Sequence, residues 1–150
     1  MLDGGITLRN ALEEGGVSSS ITDEKEVITD CCVYHVASVF TPTEEHEQMA
    51  LDNVKGAEDL MRTVAEVAST TVSQSKTFRV VQTSSMAAVR GSGQTPLNGK
   101  FYTHEDWNAL SELGANWGSS YQWSKAESEK VRMNNLYSSS LSRWRFKCKI

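Results

Sequence analysis

The chain has 150 residues, a formal net charge of −4 and an ordinary globular composition, 39% hydrophobic and 23% charged. That length suits one domain with a real core, and the acidic balance gives no reason to expect nucleic acid or an anionic membrane as partner. No apolar run approaches the ~20 residues of a membrane span, and the amino terminus MLDGGITLRNALEEGG lacks the basic and apolar regions of a signal peptide.

Taken in order, Leu2 to Glu14 reads as a short helix after a glycine turn, and Gly15 to Ser20 as a glycine/serine connector. Asp30 to Phe40, DCCVYHVASVF, is a short apolar run that fits a strand buried on both faces of a parallel sheet. Three cysteines, Cys31, Cys32 and Cys148, cannot all pair within one chain, so free thiols in a reducing, cytoplasmic setting are expected. His35, alone in that strand, fits a packed core residue better than a metal ligand. The acidic stretch Pro42 to Glu47 suits a helix N-terminus, where carboxylates are stabilised, better than a metal site. Gln48 to Ser69 then reads as one helix, with Met49, Val54, Leu60, Met61, Val64 and Val67 near a 3.6-residue period.

Thr77 to Thr83 predicts the next strand, with Ser84 and Ser85 at its carboxyl edge, where ligands of open parallel sheets bind. GSGQTPLNG, Gly91 to Gly99, reads as a flexible loop whose glycines match no phosphate-binding fingerprint. Tyr121 to Leu136 predicts a helix. Beyond it, Arg143, Arg145, Lys147 and Lys149 alternate with Trp144 and Phe146, a pattern that fits a solvated terminus better than a nucleic-acid patch.

The chemistry gathers between Phe78 and Lys125. Positions four apart on a helix face the same way, so Tyr121 and Lys125 can converge on one ligand. An ammonium group nearby favours the phenolate of a tyrosine whose ordinary pKa is about 10. Such a tyrosine can pass a proton at neutral pH while a serine hydroxyl holds the substrate oxygen.

The ordered words HVAS, NVKGAEDL, RVVQTSS, EDW, YxxSK and a trailing EK, spread over roughly Asp30 to Lys130, resemble the extended short-chain dehydrogenase/reductase family. The branch they resemble holds dihydroflavonol, cinnamoyl-CoA and yeast aldehyde reductases. The resemblance implies an α/β, partial Rossmann-like three-layer fold with parallel strands near 30–39 and 77–84 and helices near 48–69 and 119–135. It implies an NAD(P)-binding domain over residues 1–132 and a divergent basic tail over 133–150. Implied too are a catalytic set of Ser85, with Ser84 as fallback, Tyr121 and Lys125, and a cofactor contact from Val36, Ala37 and Ser38 together with Tyr121 and Lys125. Asn53 would anchor the backbone of the site, Gly56 would let helix and sheet pack closely, and MLD at the amino terminus would be the remnant of an adenine-side word. The activity implied is reduction of a ketone or aldehyde with NADP, or NAD, or the reverse oxidation of an alcohol.

No G-x-x-G-x-x-G follows an amino-terminal strand. The resemblance therefore implies a middle segment, without the pyrophosphate turn and the substrate-binding end, and weak or no NADPH binding and no useful carbonyl reduction by this chain alone. A non-catalytic remnant or interaction protein is the alternative from another class. A 3β-hydroxysteroid dehydrogenase or sugar epimerase is the alternative within the family, disfavoured by the Glu-Asp-Trp word. The substrate and the oligomeric state are not legible.

Overall fold

The computed structural model describes residues 9–10, 30–70 and 77–138. The expected amino-terminal helix, of which Arg9 and Asn10 are helical, lies otherwise outside the described residues. So do the MLD word, the Gly15 to Ser20 connector, Cys148 and the tail from residue 139 onward. The elements in order are β1 (Asp30–His35), α1 (His46–Thr70), β2 (Thr77–Gln82), a short α2 (Met86–Val89) and α3 (Trp117–Ser138).

The two strands pair in parallel, from Asp30 opposite Thr77 to His35 opposite Gln82. Parallel neighbours need a long crossover, and α1 is that crossover. One face of the sheet is apolar because the side chains alternate: Phe78 and Val80 are buried, and Cys31 and Val33 pack against the same cluster. Leu60, Met61, Val64 and Val67 supply the helical half of this core. Their spacing is the 3.6-residue stripe read from the sequence, and the opposite side carries Lys55, Asp59 and Arg62 in ion pairs. Cys32 and Tyr34 point to the other face of β1, where they are exposed. The described residues thus hold the sheet and the helical layer on one of its sides.

Helix α3 packs on α1 through a seam of small side chains rather than an apolar stripe. Ser120 and Ser124 are fully buried and Ser128 nearly so. They recur every four residues, so they share one face. Each hydroxyl is satisfied: Ser120 Oγ lies 3.0 Å from His46 Nδ1, Ser124 donates to the Tyr121 carbonyl, and Ser128 donates to the Asn53 carbonyl. Small residues let the backbones approach, and the opposing Ala50 and Ala57 of α1 are buried too.

Strand β1 is shorter than the expected 30–39. At His35 its carbonyl takes the last bond, from Thr83 N, and the chain then leaves the sheet. Residues 36–45 form a loop in which Val36 and Phe40 are exposed, although their sequence reads as strand.

Candidate active site

At the carboxyl ends of β1 and β2, Ser84 reaches Glu129 and His35 feels the charge of Lys125, both on α3. The loop after β1 packs Phe40 against Trp117 and Tyr121 of the first turns of α3. Asn53 of α1 holds the loop after β1 in place. Its carboxamide accepts from Val39 N at 2.7 Å and donates to Val39 O at 3.1 Å. That two-way clamp is the anchoring role expected of Asn53. Of the residues expected to line a cofactor, Val36 and Ala37 are exposed and Ser38 is half-buried. The Ser38 hydroxyl and His35 Nδ1 are both shielded from solvent, with no hydrogen-bond partner among the described residues. Buried polar atoms are normally paired, so two orphans within three residues mark an unusual spot.

The paired serines differ in what their hydroxyls do. Ser84 donates to a carboxylate oxygen of Glu129, a buried residue of α3. Ser85 is the N-cap of α2: its oxygen accepts from Ala87 N at 3.2 Å, with Ser85 itself in extended backbone. A hydroxyl has one proton to give and two lone pairs. Ser84 has committed its proton to Glu129, whereas the bond made by Ser85 uses a lone pair and leaves its proton available.

Tyr121 and Lys125 lie one turn apart on α3, and the Lys125 Nζ sits 5.9 Å from the centroid of the Tyr121 ring. The ring is half-buried in an aromatic group, with Phe40 edge-on at 4.6 Å and Trp117 stacked at 6.1 Å. Trp117 is itself fixed by a bond from its indole N–H to the Thr41 carbonyl. No hydrogen bond joins Ser85 to Tyr121 among the described residues. Burial pushes the Lys125 ammonium below the ordinary lysine range, and the carboxylate of Glu129 opposes that shift. Burial, and next the charge of Lys125, likewise lower the pKa of His35, which favours its neutral form. No cluster of metal-ligating groups occurs among the described residues.

A cleft of about 320 Å³ is lined by Met86, Ala87, Arg90, Gly91, Ser92 and Gln122. Ser85, Tyr121 and Lys125 are not among its lining residues, so it lies to one side of them. Its floor comes from a loop fastened from within. Gln94 Oε1 accepts from Gly91 N and Ala109 N, and Gln94 Nε2 donates to the Trp107 carbonyl. Asp106 accepts from Leu97 N, Thr103 N and Thr103 Oγ1. Asn108 donates to the Ala87 carbonyl and to Ser111, and accepts from Leu110 N and Ser111 N. A side chain at Gly91 would meet Asn108 Oδ1 at 2.6 Å, so the close approach there requires glycine. The word THEDWN, read as lying near a substrate pocket, thus works mainly through Asp106 and Asn108, and Trp107 is half-buried beside them. The loop expected to be flexible is densely bonded. Sequence reasoning also missed Glu129 as the partner of Ser84, for which the only local sign is its spacing from Tyr121 and Lys125.

A family of NAD-binding proteins described as male sterility protein matches residues 16–142. A search of curated proteins found no match. Among solved structures, the chain is similar to Gre2 from Candida albicans in complex with NADPH, with a TM-score of 0.61 and 22% identity over 78% of this chain and 34% of that one. A second crystal structure of Gre2 from Candida albicans gives a TM-score of 0.59 and 23% identity, over 78% of this chain and 33% of the other. A reductase engineered to attenuate substrate inhibition in asymmetric catalysis gives a TM-score of 0.59 and 18% identity, over 78% and 34%. The fold is therefore that of the Rossmann-type reductases, and the chain spans about a third of the length of the structures it matches.

Proposed function

We propose that this chain, which belongs to the NAD-binding male sterility protein family, carries the reacting centre of an NADP-dependent reductase acting on a ketone or aldehyde. Its chemistry is that of the extended short-chain reductases. The observation that carries the reading is the pairing on α3 of the Tyr121 ring with the Lys125 ammonium, 5.9 Å from its centroid.

Tyr121 serves as general acid, giving its phenolic proton to the carbonyl oxygen of the substrate. Lys125 keeps a positive charge beside the ring and so lowers the cost of the phenolate that remains. Ser85 donates its uncommitted proton to the same carbonyl oxygen. Ser84 is the weaker candidate because Glu129 already holds its hydroxyl.

NADP, or NAD, fits the groups present. The orphaned Ser38 hydroxyl and His35 Nδ1 need polar partners, and the half-buried ammonium of Lys125 needs an anion or hydroxyls. A dinucleotide offers all of these. Val36, Ala37, Ser38, Tyr121 and Lys125 would hold it, and when bound its nicotinamide supplies the hydride. Residues 1–132 would form the NAD(P)-binding unit and 133–150 a divergent tail, a boundary that falls inside α3. The substrate is a small carbonyl compound and the setting cytoplasmic. No helix among the described residues is long and apolar enough to cross a membrane.

Calorimetric titration with NADPH, then nicotinamide absorbance on a panel of aldehydes and ketones, tests the reading. The proposal predicts saturable binding with turnover, in contrast to the weak or absent binding that the missing glycine turn implies for this chain alone. Ser85→Ala should lower kcat/KM by about 10²–10³ through loss of an oxyanion donor. Ser84→Ala should cost far less. Absence of saturable binding would favour the non-catalytic alternative, and a larger loss from Ser84→Ala would move the carbonyl contact to that serine.

A further inference from the structure

We propose that Glu129 is the positioning residue of this site: its carboxylate ties the strand end that carries Ser85 to the helix that carries Tyr121 and Lys125, and balances the lysine's charge in the half-buried space they share. The inference rests on the reductase reading and adds to it a residue that does not touch substrate.

Three observations meet at Glu129. It is buried, only 9% exposed, on an otherwise polar helix. Carboxylates are almost never buried without a partner, because the unpaired charge loses its hydration. One of its partners is the Ser84 hydroxyl, 45 residues away in sequence, at the end of β2 next to Ser85. That bond is charge-assisted, roughly twice as strong as a neutral one. It crosses from sheet to helix at the point where the two must be in register for Ser85 and Tyr121 to meet one oxygen.

The second tie runs along α3. Tyr121, Lys125 and Glu129 recur every four residues, so they form one stripe beside the serine seam that packs on α1. Around Lys125, β1 presents His35, held neutral by burial and by the lysine itself. The helix presents the Tyr121 ring and the Glu129 carboxylate. Burial works against the ammonium, and Glu129 works for it. Without the carboxylate, the lysine would lose its proton more readily and so would hold its charge beside the phenolate less firmly. One side chain thus fixes the distance from strand to helix and holds the charge the chemistry needs.

The test needs neither cofactor nor substrate, so its failure is separable from failure of the reductase reading. Lys125 in the full chain is labelled with trace acetic anhydride across pH, and its modified peptide is quantified by mass spectrometry. Glu129→Gln keeps an acceptor for Ser84 but removes the charge. It should move the labelling midpoint of Lys125 to lower pH and speed modification below the midpoint by about three- to tenfold, a pKa shift of half a unit to one unit. A merely structural Glu129 predicts the reverse: a loosened Lys125 reaching solvent, with its midpoint rising toward that of an ordinary lysine. An unchanged or raised midpoint overturns the proposal. Ser84→Ala gives a second readout should Glu129→Gln not fold. It should speed hydrogen exchange at the Thr83 and Ser85 amides at least about tenfold by freeing the strand end. It should leave the Lys125 midpoint in place. Unchanged exchange would show that the Ser84 bond ties nothing.

Discussion

The loop from Gly91 to Ser111 and the meeting of β2 with α3 each bury one carboxylate, Asp106 and Glu129, and use it differently. Asp106 is 1% exposed and receives three hydrogen bonds from its own loop. The backbone N–H of Leu97, then that of Thr103, hold it below the usual carboxylate range. Its bonds go to folding a surface segment that leaves its large apolar side chains, Leu97, Phe101 and Leu110, exposed. Glu129 instead reaches a distant strand and a lysine that burial disfavours. At and just after the end of β1, His35 and Ser38 keep polar atoms with no partner among the described residues. The loop is locally satisfied, whereas the sheet edge is left with unpaired groups, and such departures from full satisfaction are expected at functional sites.

Substitutions on the two sides should separate chemistry from stability. The largest effect belongs to Tyr121→Phe. It removes the proton donor but keeps the ring that packs on Phe40 and Trp117. Carbonyl reduction should fall by about 10²–10⁴-fold, with the urea midpoint nearly unmoved. A large stability loss would show that the hydroxyl is structural, and the contrast between the regions would collapse. Next comes Asn108→Ala in the loop, which strips partners from the Ala87 carbonyl and from the Leu110 and Ser111 amides. Unfolding free energy should drop by about 1–3 kcal/mol, read from urea denaturation, and binding of NADPH should persist. Loss of NADPH binding without loss of stability would place Asn108 in the site rather than under it.

What was legible in the sequence follows the range of the interaction. Tyr121 and Lys125 are a helix turn apart, so their spacing alone puts them on one face. The core stripe of α1 was legible for the same reason, with Met49, Leu60, Met61, Val64 and Val67 buried as expected and Val54 half-buried. The end of β1 was not: VASVF is apolar enough to read as strand, but pairing stops where β2 stops, and no local signal reports that. The packing face of α3 was hidden because serines form it, and hydropathy sees only apolar stripes. Asp106, Asn108 and Glu129 were missed because a polar residue announces neither its burial nor its partner. Ser84 and Glu129 are 45 positions apart, and their pairing exists only once strand and helix are docked. The resemblance to extended reductases proposes Ser85 with Ser84 as fallback, and the bond from Ser84 to Glu129, which leaves the Ser85 proton uncommitted, is a physical reason for that order.

The smallest expected effect is a pH dependence of stability with two separate slopes, one for each region. His35 has its pKa lowered in the fold, by burial and then by Lys125. The unfolded chain therefore takes up a proton at this residue first, below the ordinary value of 6.5. Stability is full above that value and falls as pH drops through it, until the folded residue protonates as well. Asp106 is also lowered, from an ordinary value of 3.8. Its contribution is present above that value and is lost as pH falls through the folded pKa, where its three bonds lose their anionic acceptor. Melting temperature followed from pH 8 to pH 3 should thus decline in two steps, the first beginning near 6.5 and the second below 4. Replacing His35 by Gln should abolish the first step and spare the second, because the site and the loop titrate independently. If His35→Gln leaves the first slope intact, the group titrating near neutral pH is another one, and the neutral His35 beside Lys125 is wrong. If it removes both slopes, the loop and the sheet edge unfold as one unit, and the separation drawn between them fails.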